Sequence, residues 1–252
     1  MADKHRLPTT YPAAHFLDEL RRVGWHPGAV PETVILTYAR FELYLGTRPD
    51  LYTPNHMLGI GPGRFFTVND SDGRVAVNCL GIGGPAAVAQ IELQAALGVQ
   101  TFLSIGTAGG FQLDSEPGDT VLLTGAIRDE GTSFHYLAPD VEAVPDAALT
   151  ERFGAALSGA GIEHRRGRTD TTDAPHRTTA AEITQFRDDG VLAVEMEAAS
   201  IFAVCQAFGL PSASAVVLDG VAQPDATWKM DLGVADLALR DLFAATVAFA
   251  SS

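Results

Sequence analysis

Val75-Ala76-Val77-Asn78-Cys79-Leu80, followed at once by Gly81-Ile82-Gly83-Gly84-Pro85-Ala86, reads as an apolar strand that breaks at a glycine turn. It continues as a helix with proline at its first position. The same strand-turn-helix step recurs along the chain. Upstream, the pattern predicts a helix over 13–23 and a strand over 33–36, and Asp72-Gly73 marks a hairpin within 65–80. Downstream, the helix from Pro85 runs to Leu97, and strands follow at 101–105, 120–127 and 164–172. Helices at 146–160 and 179–188 alternate with them. A further helix carries Glu197 and stops at Gly209 and Pro211, and a strand ending at Leu218 and a helix over 233–248 complete the pattern. No repeat, low-complexity tract or linker interrupts it, so residues 1–252 read as one α/β domain.

Composition narrows the function classes. With 252 residues and 46% hydrophobic content the chain can bury one large core. Lys and Arg total 17 against 31 Asp and Glu, and the net charge of −14 argues against a nucleic-acid or anionic-membrane partner, which needs a basic face. Cys79 lies in an apolar strand pattern and Cys205 on an apolar helix stripe, so both read as buried thiols in a reducing compartment. Seven scattered histidines match no metal-ligand spacing, and no metal is expected. The N-terminus lacks the apolar run of a signal peptide and no segment reaches the roughly 18 apolar residues of a membrane span, so the expectation is a cytoplasmic protein.

Open α/β sheets bind ligands beyond the carboxyl ends of their strands. Four segments fall there: Gly81 to Pro85, Gly106-Thr107-Ala108-Gly109-Gly110, Arg128-Asp129-Glu130-Gly131 and Asp219-Gly220. The first matches a dinucleotide fingerprint in its glycines. That fingerprint also asks for an acid at the end of the next strand, where this chain has Ser104-Ile105-Gly106-Thr107. The glycine turns therefore read as backbone donors for an anion or a sugar, or simply as tight turns. Arg128 to His135 is either a solvated loop or a ligand contact. Thr171 to Arg177 is either an Asp-capped turn or a loop that reads a ligand through His176 and Arg177.

Val194-Glu195-Met196-Glu197-Ala198-Ala199-Ser200 is the segment richest in chemistry. Acids at a helix start are common, because unpaired N–H groups and the helix dipole favour negative charge there. Here Ala198, Ile201, Phe202, Cys205 and Phe208 form an apolar stripe, which leaves the Glu197 carboxylate at the helix mouth.

Together with Gly81 to Pro85, Ser104 to Gly109 and Pro117-Gly118-Asp119, this segment resembles the nucleoside phosphorylase family. That family includes uridine phosphorylase, hexameric purine nucleoside phosphorylase and the methylthioadenosine nucleosidases, and the likeness runs from Thr33 to Phe243. Arg128 to Leu137, Thr171 to Arg177 and Asp219-Gly220 look closest to a uridine-phosphorylase-like branch. The resemblance implies a single-domain three-layer α/β/α fold with a central mixed, twisted sheet. It implies ribose binding by Glu195, Met196 and Glu197, with Glu197 and Asp219 as the catalytic pair, and base binding by Gly109, His176, Arg177 and Asp219. Phosphate or nucleophile contacts fall on Gly83 and Thr107, with Arg40, Arg64 and Arg128 as candidate arginines. No cofactor is implied beyond phosphate as co-substrate, and the family's habit implies a homo-oligomer, either a dimer or a hexamer built as a trimer of dimers.

Two departures bear on the nucleophile. After the first strand the family's glycine-aspartate-proline turn is replaced by Thr37-Tyr38-Ala39-Arg40, and a second family arginine falls on Ser104. The leading expectation is a phosphorolytic pentosyltransferase acting on a ribonucleoside or deoxyribonucleoside. The alternatives are a hydrolytic nucleosidase and a non-catalytic nucleoside-binding protein.

Overall fold

A computed structural model describes residues 4–38, 41–55, 64–225 and 227–252, the side chains of 41–43 and 64 excepted. Among the described residues there are seven α-helices: α1 (Ala13–Arg22), α2 (Phe41–Gly46), α3 (Gly84–Leu97), α4 (Ala147–Gly159), α5 (Ala180–Asp188), α6 (Ala198–Phe208) and α7 (Leu232–Ser251). The strands are β1 (Thr33–Tyr38), β2 (Tyr52–Asn55), β3 (Arg64–Val68), β4 (Val75–Leu80), β5 (Thr101–Gly110), β6 (Thr120–Asp129), β7 (His164–Thr172), β8 (Ala193–Glu195), β9 (Ser212–Ala222) and β10 (Trp228–Met230).

All ten strands form one mixed sheet in the order β10-β9-β6-β7-β8-β5-β1-β4-β3-β2. An additional β5–β9 pairing closes β5, β9, β6, β7 and β8 into a ring, from which β1 and β4 extend as a parallel flank. Central parallel strands are covered on both faces, which is why β1 and the first half of β5 are mostly apolar. Val34, Ile35, Leu36, Phe102, Leu103 and Ile105 are all buried. One face packs against α3 and α6 through Ala87, Val88, Ile91, Ile201 and Phe202. The other packs against α4 and α7 through Leu149, Phe153, Leu157, Leu242 and Phe243. This is the expected layered α/β arrangement. Both cysteines are buried, and among the described residues neither forms a disulfide. No helix of the described residues is long and apolar enough to cross a membrane.

The predicted hairpin is present: β3 and β4 pair antiparallel, and Asp72 and Gly73 take the left-handed conformation at its turn. Two expectations need correction. Gly106 to Gly110 and Asp219-Gly220 are not strand-to-helix turns, because β5 and β9 run on through them as paired strand. Bare glycine backbone allows this. A Cβ on Gly109 would lie 2.6 Å from the Trp228 ring, and one on Gly110 2.7 Å from the Leu218 side chain. The short elements α2, β2, β8 and β10 carry too few residues for a readable period.

Candidate active site

Three amides at the N-terminus of α6 are bonded by neighbouring side chains. Glu195 Oε2 accepts the N–H groups of Glu197 and Ala198 at 2.8 and 2.7 Å. Thr171 Oγ1 donates to Glu195 Oε1 at 2.5 Å and accepts the Ala199 N–H at 3.0 Å. Glu195 and Thr171 thus do the capping that an Asp or Ser at the N-cap position performs elsewhere. Glu197 occupies that position with no capping bond from its side chain. Its Oε1 instead accepts the Gly83 N–H at 2.6 Å, where the positive φ of Gly83 opens α3. The two helix mouths, α3 and α6, meet at this carboxylate.

Glu197 is 6% exposed, and Glu195 is 8% exposed. Burial, then the nearby Glu195, pushes Glu197 up to about 8, and burial likewise raises Glu195. Tyr38, at the carboxyl end of β1, faces Glu197 electrostatically; burial and that charge raise its phenol well above the usual range. Its hydroxyl is 2.9 Å from Ser104 Oγ, and its ring lies against Gly106, where a Cβ would meet it at 2.8 Å.

Beside Gly106, Thr107 is exposed and hydrogen-bonds the Asp219 carboxylate. Asp219 is the bulged residue of β9: Leu218 faces Ala108 and Gly220 faces Gly109, leaving Asp219 without a partner on β5. Such bulges re-aim one side chain out of a ladder. Burial raises its carboxyl, and the Thr107 hydroxyl acts against that rise. Gly83 is thus bonded to Glu197, whose charge acts on Tyr38; the Tyr38 ring lies against Gly106, and the next residue on β5, Thr107, holds Asp219. Among the described residues none of Glu130, Glu195, Glu197 and Asp219 has a basic ion-pair partner.

Met196 is half-buried between the two glutamates. Several other expected site residues are placed differently. Both Glu195 oxygens are engaged at the mouth of α6, by two amides of that helix and by the Thr171 hydroxyl. The Gly83 N–H is given to Glu197 and not left open to an anion. Gly109 is half-buried, and the Trp228 ring and Val194 side chain lie where a Cβ on it would stand. Arg128 donates to the carbonyls of Ala138 and Val141 at 2.6 and 2.7 Å and of Leu137 at 3.1 Å, and to Ser133 Oγ at 2.8 Å. Its guanidinium also lies 4.1 Å from the Phe134 ring centre. Four of the five N–H donors of the fork fold a loop, which leaves one for any ligand. His176 and Arg177 are exposed on a single turn after β7, and among the described residues no hydrogen bond or ion pair joins them to Glu197, Thr107 or Asp219. Arg40 lies outside the described residues. Arg64 opens β3 opposite Cys79, and its side chain is outside them too. Tyr38 is absent from the residues that the sequence points to; the strand predicted over 33–36 runs two residues further, and Tyr38 closes it.

The sequence profile of the phosphorylase superfamily matches residues 40–251, and the chain belongs to that superfamily. It is 40% identical over 141 residues to a guanosine phosphorylase of Halorubrum lacusprofundi, covering 56% of this chain and 58% of that one. It is 37% identical over 139 residues to a uridine phosphorylase of Treponema pallidum, covering 51% and 54%. With the uridine phosphorylase of Escherichia coli it shares 30% over 154 residues, covering 55% and 61%. The match thus spans little more than half the length of these relatives.

Proposed function

We propose that this protein cleaves the N-glycosidic bond of a nucleoside with phosphate, releasing the base and a pentose 1-phosphate. The observation that carries the reading is the Glu197 carboxylate, buried, with no capping bond to its own helix and fixed by the Gly83 amide, its charge felt by Tyr38, whose ring lies against Gly106 next to the Thr107 that holds Asp219. Ribose 2′ and 3′ hydroxyls donate to Glu197. As the bond breaks, positive charge grows on the sugar and negative charge on the base. An ionised Glu197 is favoured more strongly by the charged sugar than by the neutral one, which is the differential binding that lowers a barrier. Asp219, with its raised proton affinity, donates to the departing base. The names of the relatives, guanosine and uridine phosphorylase, support nucleosides as substrates and leave purine and pyrimidine bases both in the panel to be tried. The whole chain is read as one phosphorylase-like domain, cytoplasmic and assembled as a homo-oligomer.

A second reading, attack by water, is favoured by one observation. At Ser104, where an arginine was expected, the Tyr38–Ser104 hydroxyl pair stands in its place and adds no positive charge. Base release from guanosine, inosine and uridine, measured with and without phosphate, separates the two. Release that depends on phosphate and yields pentose 1-phosphate supports phosphorolysis; release unchanged by its removal overturns it.

A further inference from the structure

The Arg128–His135 segment leaves one strong group unused by the reaction. Glu130 is 6% exposed and lies at the end of β6. Its Oε2 accepts the Thr132 N–H at 2.6 Å, the Ser133 N–H at 3.0 Å and the Ser200 hydroxyl at 2.8 Å, and its Oε1 accepts the Ser133 N–H at 3.1 Å. All its partners donate, as an acceptor-only carboxylate requires. Ser200 is fully buried and sits on α6 three residues beyond Glu197. It presses on Gly84, the residue after Gly83: a Cβ there would lie 2.2 Å from Ser200 Oγ and 3.4 Å from Thr132 Cβ. Glu130 therefore holds the Ser200 side chain and the Thr132 backbone, the two residues that crowd Gly84.

We infer that Glu130 is a positioning residue for the sugar-holding carboxylate: by tying Ser200 and Thr132 together against Gly84, it sets the gap between α3 and α6 across which Gly83 meets Glu197. The inference rests on the nucleoside reading for its kinetic consequence, but not for its geometry. Without Glu130 two loop amides and the Ser200 hydroxyl lose their acceptor, the loop no longer clamps Gly84, and the Gly83 amide moves off Glu197. Glu197 then meets the sugar hydroxyls with the wrong aim, and the loss falls on KM for the nucleoside.

The test pairs kinetics with hydrogen exchange at the Gly83 amide, both at a temperature where each variant is folded. Glu130→Ala is expected to raise nucleoside KM about tenfold with kcat within about twofold, and to speed Gly83 exchange. Glu130→Gln, which keeps one oxygen for the Thr132, Ser133 and Ser200 donors, is expected to restore both. Ser200→Ala removes one of the bonds and is expected to raise KM about threefold; it decides the matter if Glu130→Ala does not fold. Unchanged KM and unchanged Gly83 exchange in these variants overturn the inference. If the wild-type protein releases no base, the proposed function fails, and Gly83 exchange alone decides the positioning role.

Discussion

The Gly83 N–H donates to Glu197 Oε1 at 2.6 Å across 114 positions of sequence. That bond joins the glycine turn before α3 to the mouth of α6, and it holds a carboxylate that its own helix does not use.

Glu197→Gln keeps the size and the acceptor oxygen but removes the charge. Base release should fall about 100-fold, the scale of losing one fixed electrostatic contact, while the melting temperature stays the same or rises. Activity near normal removes the sugar-holding role. The pH dependence follows from the carboxyl standing at about 8 in the free protein. Sugar hydroxyls donate to the ionised form, so nucleoside affinity should rise as pH climbs through 8, and Glu197→Gln should flatten that rise. Calorimetric binding measured from pH 6.5 to 9 checks the slope.

Asp219 and Thr107 give a second, separable signature. Asp219→Asn can still hydrogen-bond but cannot give up a proton, so kcat should drop 10²- to 10⁴-fold with a small change in KM, roughly the span assigned to general acids. The Thr107 hydroxyl stabilises the ionised form of Asp219. Its removal in Thr107→Val leaves burial unopposed and raises the carboxyl further, so the alkaline limb of the kcat profile should move to higher pH. A limb that stays in place in Thr107→Val, or a normal kcat in Asp219→Asn, rules out Asp219 as the acid.

Stability should fall as pH rises toward neutrality, and Asp170 is one cause. This residue of β7 is 1% exposed, and among the described residues its Oδ1 has no hydrogen-bond partner. Burial, then the charge of Asp129, pushes it up to about 7. The folded chain thus holds a proton that the unfolded chain releases near pH 4, so the stability tied to that proton is complete below about pH 4 and lost by about pH 7. Asp170→Asn should be more stable than wild type at pH 8, on the order of 2–4 kcal/mol, and should lose that part of the slope. Urea titrations at pH 5 and pH 8 measure both. A variant less stable at pH 8, with the slope retained, shows the charge to be held by something else.

The strand and helix alternation was legible because long apolar elements carry a clear period, and the prominence of Glu197 was legible from the stripe that follows it. What could not be read was which of two neighbouring glutamates caps the helix. Glu195 and Glu197 differ only in direction: one points back into the amides of α6, the other across to Gly83. Asp219 was placed at a strand end by pattern, but its bulge depends on how β5 and β9 pair, and register is a tertiary property. Arg128 illustrates the same limit. A guanidinium fits loop carbonyls as well as it fits phosphate, and only the path of residues 133–141 decides between them.

That path yields the last prediction. Arg128 spends its donors on Ala138, Val141, Leu137 and Ser133 and lies on the Phe134 ring, so its loss unpicks a loop, not a ligand site. Lysine has a single ammonium head and cannot span carbonyls at several angles, so Arg128→Lys should cost about 2–3 kcal/mol of stability. In a chain of this size each kcal/mol shifts the midpoint by about 2–4 °C, which places the expected fall near 5–10 °C. Well below that midpoint the KM for phosphate should match wild type, because four of the five donors of the fork are held by the loop. Thermal melts and phosphate titrations of the same preparation give both numbers. A tenfold rise in phosphate KM with an unchanged midpoint would make Arg128 a ligand after all and would require residues 133–141 to release it when substrate binds.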